Sequence, residues 1–251
     1  QTPLNEQDLK MMSEAVEVLR QFKGFSYFTE MSDIINRLED HVASARMKTT
    51  PVIDFEKNES LKGLDYLDTI YHAIVNEHPI QLKYRSFKAR SANSFIFYPY
   101  LLKEYRNRWF VYGVRGNGRI LQNLALDRIQ SLEVLPQQHY IKNTFFDPNT
   151  FFDDLVGVTK NSGSVAEKVG FKVAAAEAPY IITKPIHRSQ QVMERLADGS
   201  VILEIEVVIN HELERVFFGY AEGIQVLYPK TLVELMGRKL KKAAEQYTHS
   251  K

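Results

Sequence analysis

The feature that most constrains this chain is a change of periodicity at Pro79. Before it, Leu64, Leu67, Ile70, Ile74 and Val75 recur at helical spacing, which predicts a helix over about 61–76 closed by the proline. After it, Ile80, Leu82 and Tyr84 alternate with Gln81, Lys83 and Arg85, the pattern of a strand with one wet face. Further strand-like runs follow at short intervals: Phe95–Leu102, Arg108–Val114, Arg119–Leu126 and Ile129–Val134. Gly116-Asn117-Gly118 supplies the positive-φ residues of a tight hairpin turn. Short, closely spaced strands with long aromatic side chains predict a small closed barrel.

The flanks carry different rhythms. Leu9, Met12, Val16 and Leu19 predict an amphipathic helix over 5–22, and Met31, Ile34, Ile35, Leu38 and Val42 a second over 30–46. Val52-Ile53-Asp54-Phe55 suits a short strand or an extended link. Beyond the barrel, Asp147-Pro148 opens a short helix that Phe151, Phe152 and Leu155 would dock, and Asn161-Ser162-Gly163-Ser164 reads as a flexible boundary. From about residue 166 the order is strand 169–175, helix 177–183, strand 187–196, strand 201–209, helix 212–222 and strand 224–228. That is the ferredoxin-like βαββαβ order. A basic amphipathic helix over 229–247 follows, with Leu232, Leu235, Met236 and Leu240 on its apolar side. The expected class is therefore α+β, divided into a helical connector (1–60), a barrel with its preceding helix (61–140), a linker (141–165) and a ferredoxin-like domain (166–251).

Several function classes find no support. No apolar run is long enough to span a membrane, and no signal segment opens the chain. With no cysteine there is no disulfide, thiolate nucleophile or cysteine-ligated metal; a cytoplasmic location fits. The seven histidines are scattered without metal-ligand spacing, so no metal or cofactor is expected. Gly116-x-Gly118 is followed by a strand rather than a helix, which removes the phosphate-cradle reading. No nucleophile has a base and an orienting group in a recognisable motif, so an enzyme is not expected.

One constellation stands out. Between Ile80 and Gln130 there are ten Lys/Arg against Glu104 and Asp127, a net +8, while the rest of the chain carries 22 Lys/Arg against 29 Asp/Glu, a net −7. The same window holds ten aromatic residues. Rings stack on bases and cations meet phosphate, so the combination suits nucleic acid or nucleotides. At least half of the rings are expected to fill the barrel; Tyr84, Tyr100 and the cations near them are the better ligand candidates.

Pro99-Tyr100-Leu101-Leu102, Arg108-Trp109-Phe110-Val111-Tyr112-Gly113 and Leu124-Ala125-Leu126-Asp127-Arg128-Ile129 together resemble the spaced signature of the WYL domain, with Trp109-Phe110-Val111 at the name-giving triplet. The tail, with its Asp198-Gly199 turn and Leu227-Tyr228-Pro229 ending, resembles the extension that follows this domain in bacterial transcription regulators. The resemblance implies an Sm/SH3-like barrel, a homodimer and an anionic ligand (nucleic acid or nucleotide) whose binding controls an attached helix-turn-helix. The ligand set expected on the barrel is Tyr84, Arg85, Tyr100, Arg106, Arg108, Trp109, Gln122 and Arg128. Gln122 stands where the family often has Arg. Promoter DNA would be read by an N-terminal winged helix that this chain, opening at Gln1, is expected to have lost. The alternative is a stand-alone nucleic-acid-binding accessory protein that modulates a nuclease or other effector.

Overall fold

A computed structural model describes residues 62–248 apart from 117 and 119. The helices expected over 5–22 and 30–46, the strand near 52–55 and the whole of the 1–60 connector lie outside the described residues. The fold is mixed α+β with two antiparallel sheets, and the chain divides into two compact units at Asn143/Thr144.

In the first unit a 3-10 turn at Leu64–Tyr66 leads into α1 (Leu67–Val75). Leu67, Ile70 and Ala73 form its buried stripe, and Asn76 caps it by donating its N–H to the His72 and Ile74 carbonyls. Five strands follow: β1 (Ile80–Tyr84), β2 (Asn93–Tyr105), β3 (Arg108–Arg115), β4 (Leu121–Ala125) and β5 (Ile129–Val134), in the order β4-β3-β2-β1-β5. The alternation after Pro79 is explicit in β1, where Ile80, Leu82 and Tyr84 are buried and Lys83 is exposed. These residues pack with Phe97, Val111, Leu124, Leu126 and the α1 stripe in one core. β2 is one long strand, with a register shift that pairs Pro99 with Gly113 and Leu101 with Tyr112, leaving Tyr100 as the extra residue of a bulge. β2 and β3 are joined by Arg106 and Asn107, both at positive φ (50° and 61°). The return strand β4 is shorter than expected, because Leu126–Arg128 form a 3-10 turn before β5 begins.

In the second unit β6 (Glu167–Val173), α2 (Ala178–Thr183), β7 (Gln191–Arg195), β8 (Val201–Val207), α3 (His211–Gly219) and β9 (Ile224–Tyr228) follow in sequence, with strand order β7-β8-β6-β9. Val201, Leu203, Ile205 and Val207 all face the core, as their period of two predicts. α4 (Lys230–Thr248) buries Leu232 and Met236 against it.

The segment read as a linker has contacts of its own. Residues 147–155 do not form the expected helix. Thr150 and Asp153 donate three residues back, to Asp147 and Thr150, and the Asp147 carboxylate is occupied by the Asn149 N–H at 2.9 Å, so the segment is a run of turns. Beyond it, Leu155, Val156 and Val158 are buried, and Val156 belongs to the second core. The Asn210 side chain donates to the Val156 and Thr159 carbonyls (3.0 and 2.9 Å) while accepting the Leu213 N–H at the start of α3.

Candidate functional site

β3 explains how the first sheet makes a site. Trp109, Val111, Gly113 and Arg115 share one face by alternation. Trp109 packs partly buried against the core and Val111 is fully buried. At Gly113 a Cβ would lie 2.1 Å from the Tyr98 carbonyl and 2.6 Å from the Phe97 ring, so glycine lets that ring lie across the strand. Arg115 is the last residue of the row and reaches solvent, with its guanidinium 4.1 Å above the Phe95 ring.

Around Arg115 is a cleft of about 200 Å³ lined by Tyr84, Ser86, Ala89, Asn93, Phe95, Arg115, Gln122 and Leu124. Phe95 and Leu124 give it an apolar floor. Asn93 and Gln122 offer side-chain amides, each both donor and acceptor, and Ser86 and Tyr84 offer hydroxyls. Burial pushes the Tyr84 phenol above its ordinary pKa, although Arg128 and a backbone N–H donated by Ala125 favour its ionised form. At neutral pH it is therefore a neutral donor. Among the described residues Arg115 forms no ion pair, and its guanidinium lies over the Phe95 ring.

The expected site residues divide into groups. Tyr84 and Gln122 line the cleft. Arg128 hydrogen-bonds the Tyr84 phenol, stacks 4.4 Å over Phe87 and lies 3.9 Å from Asp127. Arg85 is tied to the same turn, its N–H donating to the Arg128 carbonyl at 3.1 Å. Arg108 sits at the other end of β3 from Arg115, about 23 Å away at ~3.3 Å per residue, and pairs with Asp127 at 3.4 Å. Trp109 beside it serves the core. Arg106 is the tip of the β2–β3 turn, its guanidinium 5.5 Å from the Tyr105 ring. Tyr100 is buried at the bulge, in edge-to-face contact with Tyr140. The structure therefore places Tyr84 and Gln122 in the cleft, sets Arg128 against Tyr84, and leaves Arg85, Tyr100, Arg106, Arg108 and Trp109 outside the lining.

Arg115, Phe95, Asn93 and Ser86 were not among the expected residues. Arg115 was legible in principle: counting by twos from Trp109 puts it on the inner face. Phe95 pairs through Leu82 with the inner face of β1.

Among the described residues no three His, Cys, Asp or Glu side chains cluster as a metal ion would need, and no helix is long and apolar enough to cross a membrane.

A model of the WYL domain matches residues 65–134, and a model of the WCX domain matches residues 166–244. Similar solved structures include proteasome accessory factor B/C (PafBC) of Arthrobacter aurescens, 16% identical with a TM-score of 0.30 over 76% of this chain and 28% of that one. A CRISPR Cas-related protein is 12% identical with a TM-score of 0.47 over 99% of this chain and 75% of that one. The chain thus spans 28% of the PafBC chain's length. No curated protein matches. The chain belongs to the WYL-domain family, with a WCX domain as its C-terminal extension.

Proposed function

We propose that this chain is the ligand-sensing and dimerising region of a bacterial transcription regulator, a binding module rather than an enzyme, and that its ligand is a nucleotide or a short stretch of single-stranded nucleic acid. The observation that carries the reading is the cleft around Arg115: a cation on an aromatic ring beside two side-chain amides, within a window of net charge +8. Phosphate would meet Arg115, and a base would lie on the apolar floor with its edge toward Gln122 and Asn93. A half-open cleft of about 200 Å³ would seat a base, with sugar and phosphate at its rim toward Arg115. Gln122 contributes no charge here, so Arg115 on the neighbouring strand supplies the cation.

Two features support the finer fold reading. The order β4-β3-β2-β1-β5 with a 3-10 turn between β4 and β5 suits an Sm/SH3-like barrel, and β7-β8-β6-β9 with α2 and α3 as crossovers suits a ferredoxin-like domain. In the regulator, ligand binding would shift two arrangements of a homodimer and so reposition a winged helix that reads promoter DNA. A cytoplasmic location belongs to the same reading.

Titration of labelled short single-stranded DNA and RNA, and competition by mononucleotides, tests it. Binding is expected at low salt and should weaken as salt rises. Arg115→Gln should lose about tenfold in affinity, equivalent to ~1.4 kcal/mol. No binding at low salt overturns the proposal.

A further inference from the structure

We propose that the C-terminal half of α4 is a self-association seam, occupied by the same helix of a second copy of this chain. The inference rests on the homodimer reading above and names the surface that would make it. Leu232 and Met236 root α4 in the second core, with Val233 and Leu235 packed beside them. From Gly237 to Thr248 every residue is exposed, a helical projection of about 18 Å at 1.5 Å per residue. An isolated helix of that length is marginal in water, and a glycine at its base weakens it further.

The apolar pattern does not stop where the domain does. Val233, Met236, Leu240, Ala243 and Tyr247 succeed one another at alternating intervals of three and four, the spacing of a coiled-coil seam. The first two lie against the core; Leu240 and Tyr247, 41% and 85% exposed, continue the same line into solvent.

The placement of charge selects the occupant. The positions flanking the seam are Gly237, Lys239, Ala244 and Gln246. Lys239 is the one charge among them, and its ammonium is bound by the Glu214 carboxylate. Arg238, Lys241, Lys242 and Glu245 fall on the far side of the helix. A helix partner of different sequence, or a nucleic acid, would be matched by charge along the contact; this contact offers none to match. Two copies apposed seam to seam meet no uncompensated like charges, and the small residues Ala243, Ala244 and Gly237 allow a close approach beside Leu240 and Tyr247.

The test uses the full 251-residue chain, which has no cysteine, so a single introduced thiol reports without background. Ala243→Cys lies on the seam and Arg238→Cys on the far side. A short bismaleimide should couple Ala243→Cys chains into covalent dimers and leave Arg238→Cys chains largely uncoupled. Sedimentation should find the wild-type chain dimeric, and Leu240→Lys should raise the dimer dissociation constant at least tenfold while the circular dichroism spectrum stays unchanged. If the chain is dimeric but the Ala243→Cys thiols do not couple and Leu240→Lys is silent, the seam proposal fails while the homodimer reading stands. If the wild-type chain is monomeric, both fail.

Discussion

At the scale of single residues, Arg115 and Arg128 carry the same charge in one unit, but their neighbours put them to different uses. Arg128 is engaged on several sides: it hydrogen-bonds Tyr84, stacks on Phe87 and faces Asp127, and its Nε is buried. Replacing it with Glu would set a carboxylate beside Asp127 in a half-buried place and leave Tyr84 facing an acid. Loss of one partner of a buried charge pair costs about 3–5 kcal/mol, and partial exposure lowers that toward ~2 kcal/mol here. Arg128→Glu should therefore lower the denaturation midpoint clearly, and its binding defect would report on folding. Arg115→Glu, at an exposed strand end, should abolish anion binding with a midpoint within about 0.5 kcal/mol of wild type. Equal stability of the two variants would refute the division. Arg108, which also pairs with Asp127, belongs with Arg128 in this division. Charge was legible in the sequence. Whether a cation serves the fold or a ligand was not, because that depends on Tyr84 and Phe87 meeting Arg128, and Asp127 meeting Arg108, from distant segments.

At the scale of elements, legibility followed period. β8 could be read directly because both of its neighbours are strands and every second residue is buried. The bulge at Tyr100 could not, since one extra residue leaves no trace in a run as uniformly apolar as Phe95–Leu102. Its consequence is a tyrosine cluster. Tyr140, from the segment after β5, donates its hydroxyl to the Pro99 carbonyl and meets the rings of Tyr98 and Tyr100, each at 6.1 Å. Nothing local at residue 140 announces a partner that far back in the chain. Burial raises the Tyr100 phenol from 10.0 to about 12, and burial also pushes Tyr140 above its ordinary value. In the unfolded chain both titrate near 10.0, so above that pH the unfolded state holds fewer protons than the folded one, and stability falls as pH rises. Below it the contribution is constant. Urea midpoints should thus be flat from neutral pH to ~9 and decline toward ~11. Tyr140→Phe should lose about 1 kcal/mol at neutral pH through its missing hydrogen bond and decline less steeply in alkali. An equally steep decline in the variant would mean that other groups set the alkaline limit.

At the scale of the whole molecule, composition and chain packing place the boundary differently. The stretch 144–165 is rich in Asn, Asp, Thr and Gly and has no period, so it reads as a linker; the compact second unit nevertheless begins at Thr144. The physical reason is that its contacts are made by irregular backbone. Val208 donates its N–H to the Asp154 carbonyl, Asn210 holds the Val156 and Thr159 carbonyls, and the Thr159 hydroxyl donates to the nearly buried Glu212 carboxylate. Gly157, at φ +91°, passes so close that a Cβ there would fall 2.5 Å from the Glu212 side chain. The WCX match at 166–244 leaves the 144–165 side of these contacts out.

The boundary can be tested by truncation. A fragment beginning at residue 144 keeps residues 154–159 in place, with Val156 at 7% exposure in the second core and the Asp154, Val156 and Thr159 carbonyls on Val208 and Asn210. One beginning at 166 exposes what they cover and strips the partners from Asn210 and Glu212. A fully buried Val contributes about 1.5–3 kcal/mol and each buried polar group left without a partner costs about 1–3 kcal/mol, together comparable with the entire stability of many domains. The loss extends beyond area. With Thr159 gone, the Glu212 carboxylate loses the hydroxyl that donates to it, and the Asn210 amide must find water while still capping α3. The 144–251 fragment should melt cooperatively, and the 166–251 fragment should melt far lower or show no transition by circular dichroism. Coincident melting curves would return 144–165 to the status of a tether. A large difference would make this segment part of the WCX unit, so that a force arriving along the chain from the WYL unit would bear on the start of α3 instead of dissipating in a flexible link.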